Sequence, residues 1–230
     1  MLENELLEKN AWMLGLTPEQ RDRVRRDIVI KLVKQGEYVC RKGEDPAYWH
    51  GVISGLLKIT NVSMSGKEVT FLGVPPGGWF GEGSMLKDQP RPYDVVALRD
   101  SQVAYLPRTT FTWLLDNSIS FNRFLVNQLN ERLGQFIAAI EYERLLDTDA
   151  KVAKTLAWMF NPYLYPGQSS ILAISQEEVG HLCGLSRQRA NMALKALEQV
   201  NLIRVSYGEI EILDLPGLKN FRSEEHTSEL

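Results

Sequence analysis

Between residues 28 and 106 the chain is written in short apolar runs broken by turn residues. Runs rich in β-branched and aromatic side chains fall at 28–33, 51–53, 56–60, 68–72, 95–98 and 102–106. Gly36, Gly43, Gly55, Gly66 and a Pro75-Pro76-Gly77-Gly78 corner separate them, residues that tolerate positive φ or fix it. Many short strands at this spacing predict an antiparallel barrel or roll.

After Pro107 the period changes from two to between three and four. Phe121, Leu125, Gln128 or Leu129, Arg132, Phe136, Ile140 and Glu143 follow one another at helical spacing, with Phe124, Leu133 and Ile137 widening the stripe. The pattern predicts an amphipathic helix of roughly 25 residues, interrupted only by Gly134. Such a helix outruns what one small roll can cover, so its stripe is expected to pair with the same helix of a second chain, giving a homodimer.

Asp147-Thr148-Asp149 offers an N-cap for a helix over 151–160, ended by Asn161-Pro162. A short apolar strand follows at 171–174. Ser175 and Glu178 then fit a capping box. Helix, tight turn at Cys183-Gly184-Leu185 and second helix capped by Ser186 lead into two strands around Tyr207-Gly208, a hairpin wing. The expected fold class is α+β: a β-roll over 1–116, a dimerisation helix over 117–146 and a winged helix-turn-helix over 147–221.

Composition narrows the function. A hydrophobic content of 44% with 24% charged residues is that of a globular chain, and no apolar run approaches membrane-spanning length. The start is acidic and lacks a secretory pattern, so the expectation is a cytoplasmic protein without a membrane partner. Cys40 and Cys183 stand far apart and outside any CxxC spacing, which argues for packing rather than a disulfide or metal cluster. The net charge of −3 excludes indiscriminate coating of nucleic acid. Residues 148–221 carry seven Lys or Arg against seven Asp or Glu, so double-stranded DNA as a partner must be argued from placement. The last nine residues, 222–230, read as a translated sequencing-library adapter and are set aside.

Placement supplies the argument. A helix-turn-helix needs a small residue where its helices cross, a turn residue able to adopt positive φ, and apolar residues that lock the second helix. Gly180, Gly184, Leu185, Ala190 and Ala193 meet these needs in order. On the outward start of the second helix, Arg187, Gln188 and Asn191 are of the types that pair with base edges, and Ser186 and Arg189 suit phosphates.

These segments resemble the cyclic AMP receptor protein and FNR family of bacterial transcription regulators. The resemblance covers residues 27–221 and is carried by KQGEYVCRKGEDPAYWHGVISGLLKI, by PPGGWFGEGSML, by the long helix and by ISQEEVGHLCGLSRQRANMALKALEQVNLI with its wing. It implies that Arg187 and Gln188 read half-site bases. Met192 stands where the nucleotide-sensing branch usually has Arg, which implies a different operator. RNA polymerase is a partner that the resemblance implies.

The family's phosphate-binding cassette corresponds to Gly81, Glu82, Gly83 and Ser84 with Arg91, and its adenine-facing helix positions correspond to Phe136 and Ile137. These seven residues are the expected effector site. Pro92 follows Arg91 where the family has a hydroxyl, and Phe136 and Ile137 are apolar, so the departures argue against cyclic AMP. The N-terminal cysteine cluster of iron–sulfur sensors is absent. His50 leaves haem ligation as a minor reading, and the effector stays unidentified. An enzymatic metal-dependent barrel would need paired histidines, and only His50 lies in the roll, so no metal and no catalysis are expected. The alternative to a transcription regulator is a cyclic-nucleotide-binding module acting on a partner protein.

Overall fold

The computed structural model describes residues 7–8, 10–62, 66, 68–145, 147–166 and 168–222, with the side chains of 143 and 145 left aside. The adapter-like residues 223–230 lie outside the described part. The chain forms two units, Met1–Glu131 with Pro162–Gly167, and Arg132–Asn161 with Gln168–Leu230.

The first unit begins with helices α1 (Ala11–Leu14) and α2 (Pro18–Asp27), the second opened by a capping box between Thr17 and Gln20 with Pro18 in the first turn. Eight strands follow: β1 (Val29–Val33), β2 (Tyr38–Cys40), β3 (Tyr48–Ser54), β4 (Leu57–Val62), β5 (Glu68–Val74), β6 (Trp79–Phe80), β7 (Asp94–Ala97) and β8 (Ser101–Pro107). Helix α3 (Glu82–Lys87) sits between β6 and β7, and α4 (Arg108–Asn117) and α5 (Ile119–Leu145) follow β8. The strands make two four-stranded sheets, β1-β8-β3-β6 and β2-β7-β4-β5, antiparallel throughout. This is the expected β-roll. Strands β2 and β6 have three and two residues, too short for alternation to reveal them.

Period-two alternation gives the first sheet two apolar faces. Val33, Val52, Phe80, Val103 and Tyr105 face the second sheet's Leu57, Ile59, Leu72, Val74, Val95 and Ala97. On the other face Trp49, Trp79, Ala104 and Leu106 pack with Trp12, Met13, Phe111, Leu114, Phe121 and Leu125 from α1, α4 and α5. The rings of Trp49 and Trp79 lie 4.2 Å apart, and Trp12 stands edge-on to Trp79 at 5.0 Å.

Helix α5 runs for 27 residues. Its expected single stripe is two faces. Phe121 and Leu125 are core residues of their own unit, Gln128 donates to the Trp79 carbonyl at 3.3 Å, and Arg132 and Gln135 are buried. Val126, Leu129, Leu133, Phe136, Ile137 and Ile140 form a different, exposed face at alternating three- and four-residue spacing. Sequence periodicity merged the two because Phe121 and Leu125 continue into the apolar stripe and the faces are only about 100° apart on the helix.

The second unit holds α6 (Thr148–Trp158), β9 (Ile171–Leu172), α7 (Gln176–Cys183), α8 (Arg187–Gln199), β10 (Ile203–Ser206), β11 (Glu209–Ile212) and α9 (Leu215–Asn220). Asp147 caps α6 by accepting from the Ala150 amide at 2.9 Å, as its sequence predicts. The three strands are ordered β10-β11-β9. No helix among the described residues is long and apolar enough to cross a membrane.

Candidate nucleic-acid interface and sensor cassette

The helix-turn-helix is fixed by local chemistry. Ser175 and Glu178 close a capping box at the start of α7. Its end is set by Gly184 at φ 65°, where the Gly180 carbonyl accepts from both the Gly184 amide and, at 2.9 Å, the Leu185 amide. A Cβ at Gly180 would stand 3.0 Å from the Leu185 carbonyl oxygen, so the crossing tolerates little more than hydrogen there. Ala190, Ala193, Leu194 and Leu197 bury the inner face of α8.

That packing decides which α8 residues face outward. Ser186, Arg187, Gln188 and Arg189 are exposed, Asn191 is half-buried and Met192 is exposed. The Ser186 hydroxyl accepts from the Arg189 amide at 3.3 Å, so this side chain is spent on the cap and only its remaining lone pair and proton are left for a phosphate. The first turn of α8 contains no acidic residue, and its free amides add to the positive end of the helix dipole. Beside it the wing is braced by an Arg204–Glu211 ion pair of 2.6 Å and by the Glu198 carboxylate accepting from the Val205 amide at 2.8 Å. Residue numbers alone had not shown that Arg204 is already paired within the wing.

In the first unit the cassette residues come together, but around themselves. Gly81 caps α3 at φ 93°, and a Cβ there would lie 2.0 Å from Arg91 Nη1. Arg91 is buried and donates to the Gly81 carbonyl at 2.8 Å and to the Tyr48 carbonyl. The Glu82 carboxylate accepts from the Trp49 indole N–H at 3.4 Å. Ser84 is buried, while a Cβ at Gly83 would meet open space. Phe136 and Ile137 lie in the second unit, on the exposed face of α5.

His50 lies on the sheet face shared by Phe80 and Tyr105, stacked on the former at 5.2 Å and edge-on to the latter at 4.8 Å. Burial, with the nearby Arg91 and Lys31 charges, pulls its imidazole down to about 3. Its Nδ1 is buried without a hydrogen-bond partner. Packed between these rings, His50 is buried in the core of the roll. Burial pushes the Cys40 thiol up to about 11, which makes it a poor nucleophile. The described residues contain no group of three or more His, Cys, Asp or Glu able to hold a metal.

A β-roll, a long helix and a winged helix-turn-helix on one chain define a regulator with a sensor fold and a DNA-reading fold. Residues 30–118 match the cyclic nucleotide-binding domain and residues 150–221 the Crp-like helix-turn-helix domain. The cyclic AMP receptor protein of Thermus thermophilus is 26% identical over 198 residues, covering 86% of this chain and 90% of that protein. The transcriptional regulator SdrP of the same organism is 28% identical over 194 residues, covering 81% and 90%. The structure of FixK2 from Bradyrhizobium japonicum shares the fold with a TM-score of 0.71 at 16% identity, over 85% of this chain and 98% of that one. The chain belongs to the CRP/FNR family of transcription regulators, with a cyclic-nucleotide-binding-type domain and a helix-turn-helix DNA-binding domain.

Proposed function

We propose that the protein acts as a homodimer on an inverted-repeat operator, reading bases with Arg187, Gln188 and Asn191 and holding phosphates with Arg189 and Ser186. The observation that carries this reading is the outward first turn and a half of α8, locked in place by Gly180, Gly184 and the buried alanines behind it. Arg187 pairs with the acceptor edge of a guanine, Gln188 and Asn191 with adenine, and Met192 offers an apolar surface to a thymine methyl. Twofold pairing through the exposed α5 face presents two copies of α8, which sets half-sites about one helical turn apart. RNA polymerase is the second macromolecular partner, the cytoplasm the working compartment, and regulation rather than catalysis the activity.

The roll is the effector-sensing part, with Gly81, Glu82, Gly83, Ser84 and Arg91 as its cassette and Phe136 and Ile137 as helix positions. Cyclic AMP, named for the Thermus relative, is not the effector for which this cassette is built. Glu82 and Arg91 are engaged by Trp49, Gly81 and Tyr48, and Pro92 brings neither a hydroxyl nor an amide proton. Selection of bound sequences from random DNA tests the whole reading. An enriched inverted repeat supports it, and a pool without symmetry or enrichment overturns it.

A further inference from the structure

The helix-turn-helix family match runs unbroken over residues 150–221, yet Pro162–Gly167 is part of the first unit. Leu164 and Tyr165, 2% and 1% exposed, are members of the apolar cluster between the two sheets of the roll. The Tyr165 hydroxyl donates to the Gly73 carbonyl at 3.2 Å. Gly73 is on β5, and β5 and β6 are each an edge strand of their own sheet. The turn joining them carries the Pro75-Pro76-Gly77-Gly78 corner, whose glycines make room for this segment. A Cβ at Gly77 would lie 2.6 Å from the Pro166 carbonyl oxygen, and one at Gly78 would lie 3.0 Å from the Tyr165 ring. The corner is stitched to β3 by Gly77 N–H to the Val52 carbonyl at 2.8 Å and Val52 N–H to the Gly78 carbonyl at 2.9 Å, and it leads within four residues to Gly81 and Glu82.

The winged helix does not need this segment for its own core, which is built from Val152, Leu156, Leu172, Ile174, Leu194, Ile203 and Ile210. The segment therefore orders residues at an entropic cost that only its seat on the roll repays. We propose that Leu164 and Tyr165 form a latch seated at the β5–β6 edge of the sensor, through which changes in the roll are passed along the chain to the DNA-reading unit. Both ends of the latch continue directly into that unit, at Asn161 and Gln168. A molecule that enters the roll at this edge, or shifts the glycine corner, competes with the seat. By linkage, whatever favours or disfavours the seated state changes the reading unit's equilibrium to the same extent. The DNA side of the proposal rests on the operator reading above, and the hydrogen-exchange side does not.

The test uses the full chain carrying Tyr165→Phe, Leu164→Ala or both Leu164→Ala and Tyr165→Ala. Tyr165→Phe keeps the ring and removes one hydrogen bond, so it remains folded if the stronger variants do not. Amide exchange is followed at 162–166, at the 73–80 edge and in the flanking β9 and last turn of α6, with affinity measured for DNA that the unaltered protein selects. Faster exchange at the seat accompanied by faster exchange in β9 and α6, and an operator Kd altered by about fivefold or more in either direction, is expected. A released seat with unchanged flanks and a Kd within about twofold overturns the latch. So does a double variant in which 162–166 stay protected. If the unaltered protein selects no operator, the DNA reading fails, and the exchange at β9 and α6 alone decides the latch.

Discussion

The guanidinium of Arg91 donates to the carbonyl of Gly81, 2.8 Å away, across the very space that a side chain at position 81 would fill. The pair that the family resemblance assigns to a ligand is here closed on itself. Arg91→Ala removes the guanidinium donor from the Gly81 and Tyr48 carbonyls; Gly81 keeps the Met85 amide at 3.3 Å, so the loss is that of one unsatisfied buried acceptor, about 1–3 kcal/mol. The expected outcome is a lower denaturation midpoint in urea and no change in cyclic AMP response, since calorimetry on the unaltered protein should show no binding at cellular nucleotide levels. Micromolar affinity lost on Arg91→Ala, with stability intact, would reverse the assignment.

If chains pair through the exposed face of α5 as proposed, association and folding can be altered separately on its two faces. Leu133→Glu with Ile140→Glu alters only exposed positions and should yield a folded monomer with weakened operator binding, read by sedimentation. Leu125→Glu places a carboxylate in the first unit's core and should unfold it, at a cost of several kcal/mol. A dimer that survives the Leu133 and Ile140 changes rules out this seam.

Base and phosphate contacts have different signatures. Arg187→Ala should cost about 1–3 kcal/mol per half-site and relax preference at one base pair. Arg189→Ala should weaken all sequences alike and lower the salt dependence by roughly one counterion per contact. Unchanged base frequencies with tight binding in Arg187→Ala would remove α8 as the reading helix.

His50 predicts an acid limit. Burial holds its folded-state pKa at about 3, below the usual imidazole value of 6.5, so below pH 6.5 the unfolded chain takes up a proton that the folded chain refuses. Its contribution to stability is full above that pH and declines as pH falls toward the folded value, by about 1.4 kcal/mol per unit. Between about pH 6 and pH 4, His50→Phe, which retains a ring against Phe80 and Tyr105, should therefore lose less stability than the unaltered protein. Parallel urea midpoints in the two proteins across that range would refute the reading.

Local chemistry made much of this legible from residues alone. The Asp147 and Ser175 caps, the Gly184 turn and the Tyr207-Gly208 hairpin each depend on a few neighbours, and each is found where the sequence places it. The outward placement of Ser186, Arg187, Gln188 and Arg189 followed from the same periodicity. What escaped depends on distant partners. Nothing next to Glu82 in sequence announces Trp49. The start of the buried side of α5 is set apart by distant residues such as Trp12, Trp49 and Phe111 that cover Phe121 and Leu125, and Leu164-Tyr165 reads as a loop because its seat is some ninety residues upstream, at Gly73.

The bond between the Trp49 indole and Glu82 has an optical consequence. Trp12, Trp49 and Trp79 are ringed together within 5.2 Å, and one of the three has its N–H on the cassette carboxylate. A ligand that draws on Glu82 alters the carboxylate to which Trp49 donates, which changes the polarity around an indole whose neighbours are already in range to exchange excitation. The protein therefore carries its own fluorophore at the cassette where the proposed effector would act. A screen of metabolites by tryptophan emission, with Glu82→Gln as the control, needs no label and no prior guess at what the effector is.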